Sequence, residues 1–133
     1  MRNNRITPDE VVALKPNEIF VFGSNLQGMH AGGAAYTARL LFGAVLGQGE
    51  GVQGQSYAIP TMQGGVETIK PYVDRFIEFA SENPDKDFLV TRIGCGIAGF
   101  TPEEIAPLFA KATRMHNVWL PADFLRVLEK IGY

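Results

Sequence analysis

A few side chains and two glycine-rich stretches carry the chemistry this sequence could do. The first stretch runs from Gly23 through Ser24, Asn25, Gly28 and His30 to Gly32 and Gly33. The second runs Gly94-Cys95-Gly96-Ile97-Ala98-Gly99-Phe100. Nine of the fifteen glycines fall between Gly23 and Gly54, and three more between Gly94 and Gly99. Glycine is costly to order, so such clusters need a cause: tight turns, or a backbone that a ligand must approach closely. Each stretch follows a strongly apolar run and leads into a helix, where unpaired backbone N–H groups and the helix dipole favour an anion. Two such loops facing each other suit a diphosphate better than a single phosphate. The sequence has no GxxxxGK[ST], which excludes a P-loop nucleotidase at the motif level, and no GxGxxG follows the first apolar run.

Between Gly23 and Gly65 the only carboxylate is Glu50, so a general acid or base from this half of the chain is Glu50 or His30. His30 sits among glycines rather than on an apolar face and is expected to be exposed, contacting ligand or activating water. Glu50 reads as a solvated loop residue or as that acid or base. Cys95 reads first as a small buried apolar side chain. A helix N-terminus nearby would lower its pKa and make it a nucleophile. Asn25, at a strand end before a glycine-rich turn, offers both a donor and an acceptor, or else only makes the turn. Ser24 lacks the spacing of a hydrolase elbow. Phe100 either stacks on a ribose or base or packs under its loop.

The elements that must position these residues alternate. Glu18–Gly23 is an apolar strand, residues 33–42 a helix, and Gly43–Gly54, with its five glycines, a loop. Tyr57–Pro60 is a second strand. From Val66 to Asn83 apolar residues recur at helical spacing, with Pro71 expected in the first turns. Phe88–Ile93 is a third strand. Thr101-Pro102-Glu103-Glu104 is a helix start, with threonine as N-cap and acids at the positive end of the dipole. Asn117–Leu120 is a fourth strand and Pro121–Ile131 a last helix. This alternation predicts an α/β domain, with a mainly parallel sheet between helices on both faces. The shorter strands belong at the edges, giving the order 57–60, 18–23, 88–93, 117–120. The carboxyl ends of the two central strands then form the switch point at which such sheets bind ligands, and both glycine stretches emerge there.

The chain has 133 residues, 46% of them hydrophobic, which suits one domain over residues 1–133. Twelve Lys and Arg stand against fourteen Asp and Glu, a net charge of −2 that gives no reason for strong nonspecific nucleic-acid binding. No apolar run approaches the roughly 20 residues needed to span a bilayer. The first ten residues have no signal-like apolar core, so a cytoplasmic protein with no membrane partner is expected. A single cysteine excludes an internal disulfide, and with only His30 and His116 beside it no metal site and no cofactor are expected.

Over roughly residues 19 to 131 the motifs resemble the macro domain, the ADP-ribose-binding α/β family. VFGSN, ending at Asn25, is similar to the strand that finishes in the family's Asn-Ala-Ala-Asn segment, which implies that Asn25 faces the ribose farther from adenine. The stretch from His30 to Ala35 resembles the family's Gly-Gly-Gly-Gly-Val-Asp loop. IGCGIAGFTPEEIA resembles its second phosphate-binding loop, and IGCG is similar to the Gly-Cys-Gly form of a hydrolase branch. The resemblance implies ligand contacts from Gly23, Ser24, Asn25, Gly32, Gly33 and the whole of Gly94–Phe100. The chain departs from the family where catalysis is concerned: the aspartates of two hydrolase branches fall on Ala35 and Ala98. The aspartate that reads adenine has no clear counterpart near Ile6-Thr7, where Asp9 is the nearest candidate.

Three functions follow as expectations. The first is a module that binds ADP-ribose or an ADP-ribosylated partner without turning it over. The second is an ADP-ribosyl hydrolase or ADP-ribose 1-phosphate phosphatase of the same fold, with His30 or Glu50 as acid or base. The third, from another class, is a Cys95–His30 hydrolase of a small substrate, which requires His30 within about 3 Å of the Cys95 sulfur.

Overall fold

A computed structural model describes residues 5–133. Five strands form one sheet: β1 (Glu18–Ser24), β2 (Gly51–Gln53), β3 (Ser56–Pro60), β4 (Asp87–Val90) and β5 (Val118–Trp119), in the spatial order β2-β3-β1-β4-β5. The helices are α1 (Gly33–Leu41), α2 (Val66–Ser81), α3 (Pro102–Ile105) and α4 (Ala122–Lys130), with a 3₁₀ stretch over Ala106–Arg114. All pairings are parallel except β2 with β3. The expected α/β class and the expected order of the four strands read from the sequence therefore hold.

β1 shows why the sheet is buried on both sides. Its alternate residues serve two cores: Ile19 and Val21 pack with α2, α3 and α4, while Phe20 and Phe22 pack with Ala35 and Ala38 of α1. Ala58 of β3 faces the α1 side, where a small residue lets helix and sheet approach closely. Pro71 lies in the second turn of α2, and its exposed ring leaves the buried stripe Ile69, Val73, Phe76, Ile77 and Ala80 uninterrupted.

Three expectations need correction. The 43–54 segment is not all loop, because Gly51–Gln53 forms β2 and turns through Gly54, at φ +61°, into β3. Tyr57–Pro60 is consequently not an edge. The strand beginning near Phe88 ends at Val90 rather than Ile93: Thr91 turns out of the sheet, its N–H and Oγ1 both donating to the Val21 carbonyl (3.0 and 2.8 Å). The helix start read at Thr101 holds; its α portion is one turn, since Pro107 has no N–H to continue the ladder and the chain tightens to 3₁₀.

The early end of β4 creates the site. β1 pairs with β4 only as far as Val21–Val90, yet continues beside β3 to Ser24–Pro60. Beyond Val21 the two central strands no longer pair, and the chain after β4 turns out over the carboxyl end of the sheet.

Candidate functional site

The carboxyl end of the sheet borders a cleft of about 1120 Å³. Gly23, Ser24 and Asn25 line it from the end of β1, and Thr91, Arg92, Ile93 and Gly94 from the end of β4. Gly32, Gly33, Ala34 and Ala35 bring in the start of α1, and Gly96, Ile97 and Ala98 the second loop. Pro121, Ala122 and Asp123 add the start of α4, and residues 7–12 close the remaining side. Both glycine stretches therefore meet in one cleft at the switch point. Asp9 is in its wall, as are Ala35 and Ala98.

The two loops offer donors in different ways. α1 begins at Gly32 with no side-chain cap, so its first N–H groups are left for another acceptor. The N-terminus of α3 is capped by its own side chains, and of its first amides only that of Glu103 donates to no protein acceptor. Thr101 Oγ1 accepts from the Glu104 N–H (3.3 Å) while a Glu104 carboxylate oxygen accepts from the Thr101 N–H (2.9 Å). The second loop therefore presents chiefly its own backbone rather than an uncapped helix end. Among the described residues the N–H groups of Gly96, Ile97 and Ala98, like those of Ala31, Gly32 and Gly33, donate to no protein acceptor.

Several predicted residues lie elsewhere. Cys95 and Phe100 pack against the larger core, and Gly99 also lies outside the lining. Burial pushes the Cys95 thiol above its ordinary range, with Asp123, Glu103 and Glu104 adding to the rise against Arg92, so it remains a neutral packing group. Glu50 is outside the lining as well, its carboxylate accepting from Arg75 Nε of α2 at 2.7 Å. Ser24 is at the cleft, but its hydroxyl donates to the Gly49 carbonyl and pins the neighbouring loop. Asn25 Oδ1 accepts from the Met29 N–H (3.2 Å), so Asn25 forms the turn and lines the cleft together.

His30 is buried, at 2% exposure, contrary to expectation. It occupies the left-handed region, φ +47°, with its ring edge-on to Phe22 at 5.2 Å between centroids. Its Nε2 lies 3.1 Å from the Gln48 carbonyl and 3.2 Å from Gln53 Oε1. Gln53 is itself fixed: Oε1 accepts from the Val45 N–H (2.7 Å) and Nε2 donates to the carbonyls of Gln48 and Gly51. Both neighbours of His30 Nε2 are therefore acceptors, so Nε2 donates, while Nδ1 has no partner among the described residues. His30 packs on the Phe22 side of the sheet and Cys95 on the other, which separates the two members of the expected dyad.

Sequence reading missed Thr7, Arg92, Asp123 and Arg126 of the lining. Asp123 at the start of α4 looks like an ordinary dipole-compensating acid. Only the fold shows its partner, Arg92 Nε at 2.8 Å from Oδ2.

Comparison of the chain with family models, curated proteins and solved structures gives no match. Among the described residues no helix is long and apolar enough to cross a membrane.

Proposed function

We propose that the cleft binds ADP-ribose or a related nucleoside diphosphate, free or attached to a partner, with the diphosphate held between the start of α1 and the backbone of Gly94–Ala98. One observation carries this reading. Gly32 and Gly96, one on each loop, both line the cleft, and a Cβ at either would meet nothing within 4 Å. Neither has the positive φ that would demand glycine. The fold does not need glycine at these two positions, whereas a ligand brought against the main chain does. The macro-domain resemblance of the same loops points to the same ligand.

Hydrolysis in this cleft is a second reading, favoured by His30 alone. A buried imidazole with Nε2–H held by two acceptors and Nδ1 unpartnered has the form of an oriented base or hydroxyl acceptor. Alanines at positions 35 and 98 leave no carboxylate there to assist it. Calorimetric titration with ADP-ribose, AMP and NAD tests the binding reading. ADP-ribose should bind with micromolar or tighter affinity, about −8 kcal/mol, and more tightly than AMP. Equal affinity for AMP and ADP-ribose would remove the case for a diphosphate cradle. Assay of the same samples for released ribose or phosphate, with His30→Ala as control, decides between binding and turnover.

A further inference from the structure

We propose that the outer face of α1, with the loop segments beside it, is the contact surface of a symmetric dimer and is covered by the same face of a second copy of this chain. The face lies outside the cleft, so the inference does not depend on what the cleft binds.

α1 divides its surface three ways. Ala35 and Ala38 are buried in the smaller core, and Ala34, Thr37 and Leu41 line the cleft. Tyr36 and Leu40, one turn apart on the helix, line nothing and are 44% and 60% exposed. Main-chain contacts bring further apolar side chains to this helix. The Ala44 N–H donates to the Ala38 carbonyl at 3.1 Å, which ties the segment carrying Val45 and Leu46 to α1. The Gly47 N–H donates to the Gly28 carbonyl at 2.9 Å, which sets the same segment beside Met29. Leu26 joins them through Gly49, whose added Cβ would stand 2.5 Å from Leu26 Cα. Leu26, Met29, Val45 and Leu46 are 42 to 61% exposed, and none of them lines the cleft.

Area and charge select the occupant. These six side chains leave roughly 600 Å² of accessible surface open, the upper end of what a monomer exposes as one patch and about one partner's share of a small stable interface. From Gly23 to Gly65 the only Lys, Arg, Asp or Glu are Arg39 and Glu50, although the chain carries 12 Lys and Arg and 14 Asp and Glu. Glu50 is already paired with Arg75 at 2.7 Å. A charged partner would find only Arg39 to pair with. A second copy presents the same apolar surface, and a net charge of −2 gives two copies little mutual repulsion. Pairing through the sheet edge is obstructed instead. At the outer strand β2 the Glu50 and Val52 carbonyls accept from Gln48 Nε2 at 3.2 and 3.0 Å.

Sedimentation equilibrium of the full chain tests this. The apparent mass should rise from one chain to two between about 1 and 100 µM and go no further. Leu40→Lys and Leu46→Lys each put a charge against the apolar face of the other copy and should weaken the dimer at least tenfold. Their thermal midpoints in dilute solution should match wild type, since both side chains are exposed. Ile131→Lys changes an equally exposed residue after α4, which packs on the opposite side of the sheet, and should leave the dimer intact. The mass of one chain throughout that range, or a mass that keeps rising past two, overturns the proposal. So does a dimer that neither Leu40→Lys nor Leu46→Lys weakens, or one that Ile131→Lys weakens as much, because the contact would then lie elsewhere.

Discussion

The glycines of this chain divide into two regions that look alike in sequence and differ in what surrounds them. In the segment from Phe42 to Gln55 and its contact with the first loop, main chain lies directly on main chain. A Cβ on Gly49 would stand 2.3 Å from the Asn25 carbonyl oxygen and 2.5 Å from Leu26 Cα, and one on Gly28 would stand 2.4 Å from Gln48 N. Gly43 and Gly54 oppose each other in the same way, with 3.0 and 2.8 Å between the added Cβ and the opposite Cα. At Gly32, Gly33, Gly96 and Gly99 the added atom would meet nothing within 4 Å. Glycine in the first region is explained by folding. In the second it is explained by folding only at Gly33 and Gly99, where φ is +58° and +82°. A glycine cluster is therefore a mixture, and only the positions that neither sterics nor φ accounts for point to a ligand.

The largest expected effect lies in the first region. Gly49→Ala should destabilise the protein by about 3 kcal/mol or more, because the clash is with backbone atoms that cannot swing aside. In a thermal melt this is a fall on the order of 10 °C. A melt within about 2 °C of wild type would mean that the two loops part easily and that the comparison fails. Gly99→Val comes next: its left-handed φ should cost about 2 kcal/mol of stability, while ADP-ribose affinity per folded molecule is unchanged because Gly99 does not line the cleft. Gly96→Val should do the reverse, weakening ADP-ribose at least tenfold, about 1.4 kcal/mol, with a much smaller change in the melt. If Gly99 rather than Gly96 controls affinity, the lining has been assigned to the wrong half of the second loop. Smallest of all, Cys95→Ser should change affinity by less than about threefold, since the thiol packs under the loop. Loss of a hydrolytic activity in this variant would revive the cysteine as a nucleophile.

How far the sequence was legible follows the same physical divide. The order of the four expected strands followed from their length and apolarity, because the longest and most apolar runs belong at the centre of the sheet. The convergence of the two loops followed from that order. β2 was not legible: Gly51-Val52-Gln53 is too short to show a period of two, and its pairing depends on Gly54 turning it onto β3. The burial of His30 was hidden for the same reason, since β2 carries the Gln53 side chain that holds the imidazole. The expectation of exposure came from its glycine neighbours; in the fold His30 lines the cleft with them while its ring is packed against Phe22 and Gln53. Thr7 and Asp123 were out of reach, being 116 positions apart and brought to one cleft by the pairing of residues 5–7 with Leu120. Thr101 and Glu104 were read correctly as a helix start, yet their capping box satisfies the helix end that was expected to hold an anion.

The central claim is that two glycine loops close on one diphosphate, and amide chemical shifts followed during an ADP-ribose titration test it most directly. The amides of Gly32, Gly33, Gly96, Ile97 and Ala98 should move together along one binding curve, and those of Gly43 and Gly54 should stay in place. Movement confined to one loop, or centred on the 43–54 segment, would contradict the account.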